Sequence, residues 1–254
     1  MGLTLSGIGS YVQVGPAVPS NITKLTTDDI SGLDTSQVDS LDSDQIQFLS
    51  ADQIQALGTN FSVFTNSEIN AISLDSFAAL TSDQLNSLNS DQIGAIDSLH
   101  LAALSTDQVS ALSTDFIIAL TSDQFQVFGP GQLSALTTDQ IANIESSDFS
   151  SLTSYNIAQI ATDKIASITT DQLSSLVLSN KFILTVSQVG ALTSDQVTGL
   201  GTDGIQTLSN AQINGLTSDQ IGVITTDQIV ALTTGQVASL TTDQVRALTS
   251  DQIP

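Results

Sequence analysis

The chain has no cysteine and no tryptophan, a single histidine, and only four basic residues among 254. Without thiols there is neither a disulfide framework nor a thiolate metal centre. The four cations, Lys24, Lys164, Lys181 and Arg246, face 26 acidic residues, for a formal charge of −22. That field repels phosphate backbones, so nucleic acid is excluded as a partner, while it keeps the surface solvated. Aromatics are scarce at 4%, so any core is built from Ile, Leu, Val and Ala, with nine Phe as occasional fillers. No apolar run approaches the roughly 18 residues needed to cross a bilayer. Residues 1–20 carry no positive n-region, so they are not a usual secretory signal, and an exported chain would be cut from a longer precursor or use another route.

Catalytic signatures are equally sparse. His100 has no second histidine, cysteine or Gly-rich nucleophile elbow to work with, and a surface or capping role is expected for it. Tyr11 and Tyr155 are isolated, and no dinucleotide, phosphate-loop or HExxH motif occurs.

What the chain does have is a period of eight. Counting by eights from Ile69 to Ile253 lands on Ile, Leu, Val or Phe at 23 of 24 stops, with Lys181 the exception. Self-similarity at a fixed short period is the mark of a repeat architecture, in which each unit packs only on its neighbours.

Ile224 to Ile229 shows the physics of one unit: an apolar residue, Thr225, Thr226, Asp227, Gln228, and an apolar residue again. Thr225 and Gln228 have capping-box spacing, in which the hydroxyl accepts from the Gln228 backbone and the amide side chain reaches back to the cap. Ile224 and Ile229 stand at the two positions of a hydrophobic staple, and Asp227 falls in the first turn, where the helix dipole favours a carboxylate. In the cap column from Ser73 to Thr249, 20 of 23 positions are Ser, Thr, Asp, Asn or Gly, the misses being Glu145, Ala161 and Val177. One continuous helix is excluded, because eight residues advance about 800° and an octad stripe would drift about 80° per unit. A strand is excluded by apolar spacings of three and five.

The expectation is therefore an all-α solenoid of very short capped helices, one per octad. Isolated helices below about 12 residues do not persist, so stacking must hold them. A small column (Ala231, Ser239, Ala247) would let neighbouring backbones approach closely. Two, three or four octads per coil all fit the period. Departures from Gln in its column at His100, Phe116, Asp148, Lys164 and Asn180 fall at multiples of sixteen, which favours two, although Ser76, Asn156 and Gly204 do not follow.

Residues 1–20 read as an extended segment, a cap on the first coil or a strand offered to a neighbour. The array occupies residues 21–254, with a register slip near 58–62 that predicts a kink. Phe182 and Ile183 are expected to replace the missing apolar contact at Lys181. Pro130, between two glycines, stands just inside a helix start, where proline is tolerated. The sequence stops in mid-octad, which reads either as a fragment of a longer array or as an open end that docks on the next molecule.

The aspartate column is the one constellation with chemical potential, since stacked carboxylates suit a divalent cation. The calcium candidates are Asp195, Asp203, Asp219, Asp227, Asp243 and Asp251. The competing reading, that each Asp decorates its own helix start, already follows from the capping argument, and Gly131, Gly235, Ala211 and Tyr155 replace Asp with the pattern intact. Ordered Thr rows also suit ice or sugars, but here the hydroxyls are spent as caps.

The phrase Leu-Thr-Ser-Asp-Gln-Val at 192–197 resembles the run Leu-Thr-x-x-Gln-Val of the TAL-effector DNA-binding repeat, whose unit is much longer and carries a base-reading loop. Across residues 22 to 253 the chain is similar to the short Leu-Thr-Thr-Asp-Gln-Ile arrays of large secreted or surface, adhesin-like proteins of Gram-negative bacteria. That resemblance implies an extracellular, non-enzymatic role without naming a ligand; no cofactor is expected beyond the calcium that the aspartate column suits. The glycine-rich calcium nonapeptides that often accompany such arrays are missing from this sequence. The expected function is a filament subunit that stacks head to tail on its own copies; the alternatives are an adhesin stalk or spacer, or a ligand-binding solenoid module.

Overall fold

The computed structural model describes residues 3–4, 13–14, 22–179 and 183–253. Leu3–Thr4 and Gln13–Val14 pair as antiparallel strands, Leu3 opposite Val14. From Ile22 onward the described chain is a succession of α- and 3-10 helices three to nine residues long. It packs as two compact units, Met1–Ala135 and Leu136–Pro254.

Most helices start as the sequence predicts. In Thr226–Ala231 the Thr225 hydroxyl accepts from the Gln228 N–H at 3.2 Å, and Gln228 Oε1 accepts from the Thr225 N–H at 3.0 Å. The end is equally local: the Leu232 N–H bonds to the Ile229 carbonyl at 3.2 Å. Leu232 (ψ 133°) and Thr233 (ψ 157°) are then both extended. Two extended residues between helical turns make the corner, and the second is already the next cap.

The three misses in the cap column each change the local structure. Glu145 precedes a helix without a side-chain cap, and Ala161 precedes a 3-10 helix, Thr162–Ser167. Val177 fails to break the chain at all, so Thr170–Leu178 runs on to nine residues. Pro130 is the first residue of helix Pro130–Ala135, where its lost N–H would have had no intrahelical partner. At the register slip the chain forms the 3-10 helix Gly58–Val63, entered through Gly58 at φ +54°, a conformation that suits glycine. The irregularity predicted around Lys181 and Phe182 lies outside the described residues.

Three helices make one turn of each unit, not the two that the sixteen-residue spacing favoured. In the first unit Thr27–Ser31 packs on Ala51–Ala56, and Ser90–Ala95 on Thr114–Ala119, each pair three helices apart. In the second, Val186–Gly190 packs on Asn210–Gly215, and Ser218–Val223 on Thr242–Ala247. The sixteen-residue pattern reflected local substitutions in the Gln column, described below, and had nothing to do with the coil period.

The Ile and Leu columns of all three sides point to the centre of the turn, where Ile54, Phe61, Ile205 and Ile213 are wholly buried. The small positions set the distance between turns. A Cβ on Gly190 would lie 2.8 Å from the Gly215 carbonyl oxygen, and one on Gly222 would lie 3.6 Å from that of Ala247.

Candidate functional site

The surface through which one turn recognises the next is the most elaborate polar site in the described residues, and the glutamine column makes it. Gln220 is 4% exposed. Its Oε1 accepts from the Thr217 N–H at 2.7 Å, closing the capping box. Its Nε2 donates to the carbonyls of Val189 at 3.0 Å and Leu192 at 2.6 Å, 31 and 28 residues earlier. One amide therefore starts its own helix and clasps the corner that leads into Ser194–Gly199, the helix one turn back.

The same pair of bonds recurs at Gln53, Gln124 and Gln132 in the first unit, and at Gln172, Gln188, Gln236, Gln244 and Gln252 in the second. A buried amide costs stability unless all its groups are paired, and these are. The sequence reading saw only the capping half. A signal for the other half was present: a capping box accepts Glu or Gln, but only Gln has a donor left for a neighbour. Glu68, which takes the column's place in one box, is half-buried.

Departures from Gln retain the donor where chemistry permits. His100 Nε2 lies 2.8 Å from the Ile72 carbonyl oxygen, Lys164 Nζ donates to Leu136 at 2.7 Å, and Ser76 Oγ donates to Leu49 at 2.9 Å. His100 is thus a buried clasp residue, 4% exposed: of the surface or capping role expected, the surface half is corrected, while its ring does bond the cap residue Asp97. Phe77 meets its ring edge to face at 4.7 Å.

Neither His100 nor Phe116 accepts from its own cap N–H, and an asparagine on the previous turn does so instead. Asn70 Oδ1 accepts from the Asp97 N–H at 3.1 Å while its Nδ2 donates to Ala95 at 2.8 Å. Asn86 does the same for the Ser113 N–H at 2.8 Å and the Ala111 carbonyl at 2.9 Å. Gly204 has a different cause: a Cβ there would lie 2.7 Å from Leu200 Cβ and 3.2 Å from Val177 Cγ2, so the overlong helix fills the space that a glutamine would need.

The calcium candidates Asp195, Asp203, Asp219, Asp227, Asp243 and Asp251 are all exposed, each in the first turn of its own helix. Among the described residues no three acidic or histidine side chains come together as a cation site. Packed helix axes stand about 8–10 Å apart, too far for carboxylates on successive turns to share an ion at 2.3–2.6 Å unless they lean together. Like charge drives them apart instead. Two surface grooves of about 520 and 370 Å³ open beside Asn66 and Leu178. No described helix is long and apolar enough to cross a membrane.

The last turn differs from the others in exposure. Ile205, Ile213 and Ile221 are buried, whereas Val237, Val245 and Ile253 in the same column are 51%, 52% and 63% exposed. At the other end Ile22, Leu25, Ile30 and Leu33 are buried.

Short capped helices, three to a turn and clasped from turn to turn, define a helical-repeat protein of the solenoid class. The ALTTAQ repeat matches residues 22–59, 86–122, 200–234 and 230–254, just over half of the chain. The chain belongs to the ALTTAQ repeat family. No curated protein matches the chain.

Proposed function

We propose that this protein is a non-enzymatic structural element, outside or on the surface of a bacterial cell, that assembles head to tail with its own copies. The observation that supports this is the self-complementary repeat: each turn offers the next an apolar column and the carbonyls of its helix ends, and meets the one before it with Gln donors. Val237, Val245 and Ile253 belong to that column and are half-exposed or more. The complement to that surface is a repeat turn bearing Gln donors, as each inner turn is to the one before it.

Covering three half-exposed side chains contributes about 1 kcal/mol each, well short of the roughly 4–15 kcal/mol lost on association. The clasps must add to it, and the contact is weak and concentration-dependent. The acidic flanks limit lateral clumping.

A second reading is a spacer or adhesin stalk, favoured by the regularity of an array in which each turn packs on its neighbours. Sedimentation velocity and negative-stain microscopy over a concentration series separate the two. Rods that lengthen with concentration, and that the pair of substitutions Val237→Asp and Val245→Asp abolishes, support the filament. Monomeric short rods at every concentration overturn it in favour of the spacer.

A further inference from the structure

His100 stands where other turns carry a neutral amide, and its surroundings ask for something a neutral ring cannot give. Nδ1 lies 2.8 Å from Asp97 Oδ1, and Nε2 lies 2.8 Å from the Ile72 carbonyl oxygen. A carbonyl oxygen has no proton to offer. Asp97 Oδ1 already accepts from the backbone N–H groups of Leu99 at 2.9 Å and His100 at 3.0 Å, as a carboxylate does. Both ring nitrogens therefore face acceptors. A neutral imidazole has one N–H and one lone pair, so it makes one of these bonds and sets the other lone pair against an oxygen. Only the imidazolium donates to both.

We propose that His100 is a proton-operated clasp, which holds helix Ser98–Ala103 to the preceding turn while the ring carries both protons and releases it when one is lost. The glutamine clasps around it carry no titratable proton. Titratable groups on the helices around it are few. Asp75 lies on the packed helix Leu74–Ala78, Glu68 on the helix before that, and Asp91, Asp107 and Asp123 on the flanking turns. All are exposed except Glu68, which is half-buried, and the one coulombic influence on Asp97 is His100.

Burial raises the Asp97 carboxyl, but the backbone and side-chain bonds from His100, its charge, and the Leu99 N–H outweigh it and hold the group below its ordinary value. A carboxyl held low contributes stability that is present above its unfolded value and lost as pH falls through its folded value. The acid limit of the clasp therefore lies below the usual carboxylate range. Its alkaline limit is loss of the ring proton.

The chain has one histidine, so the ring nitrogens give unambiguous signals in ¹⁵N NMR. At about pH 6 both are expected to be protonated, with amide protection of Leu74–Ala78 and Ser98–Ala103 falling about tenfold by about pH 9 after correction for intrinsic exchange, the effect of one charge-assisted hydrogen bond. H100Q restores the array's own residue and should hold protection flat over that range. D97N should lower the pH at which the ring loses its proton. A ring that is a single neutral tautomer at about pH 6 overturns the proposal, as does an equal fall in H100Q.

Discussion

Exchanging Gln220 for glutamate separates the two tasks of the column residue. Q220E keeps the shape and the Oε acceptor for the Thr217 N–H, so the helix start survives, but it removes the donor to Val189 and Leu192. Val189 loses one bond at about 1 kcal/mol, since its carbonyl still accepts from the Leu192 N–H, and the Leu192 carbonyl is left facing a carboxylate at about 1–3 kcal/mol. The expected loss is about 2–4 kcal/mol at pH 7. The fold disfavours the charged glutamate, so its folded pKa is raised, and the destabilisation shrinks as pH falls and the acid recovers an O–H donor. T217A removes only the cap bond and should cost about 1 kcal/mol. Repeat arrays depart from two-state unfolding, so local amide protection in Val186–Gly190 and Ser218–Val223 is the appropriate assay, supported by urea titrations followed by circular dichroism. If Q220E lies within about 1 kcal/mol of the parent at pH 7, or matches T217A, the inter-turn clasp does not have the weight given to it here.

The other predictions concern individual joints. N70A should cost about 1–2 kcal/mol by orphaning the Asp97 N–H, but much less in an H100Q background, where the column residue again supplies its own acceptor; a double-mutant cycle reads this coupling directly. G215A should destabilise by about 1–3 kcal/mol, because its Cβ would lie 2.6 Å from Val186 Cγ1 and 2.9 Å from the Val186 carbonyl oxygen. Leu208→Asp, at a position only 3% exposed, should unravel the local turns, and unchanged helicity and thermal stability would refute the column assignment. Calcium or a chelator should leave the melting temperature unchanged, since the column aspartates are exposed and dispersed; a rise that grows with calcium concentration would show that they bind it.

The sequence determined everything that depends on neighbours within one octad. The Thr-x-x-Gln spacing defines the helix starts, the apolar residues three apart define the buried face, and the misses at Glu145, Ala161 and Val177 mark where helices are uncapped, 3-10 or overlong. These are contacts over three or four residues, and residue types at fixed spacing specify them. How many octads close a turn was decided only in three dimensions, because it rests on the angle made by two extended corner residues, which the period does not contain. The clasp was likewise invisible, since its partners are 28 and 31 residues away and are backbone carbonyls, which carry no sequence signature. For the same reason the sequence allowed His100 either a surface or a capping role, and only the fold set the Ile72 carbonyl and the Asp97 carboxylate on either side of its ring. Local chemistry chose the helices; the stacking of one turn on another chose which of their polar groups would be buried, and with what partner.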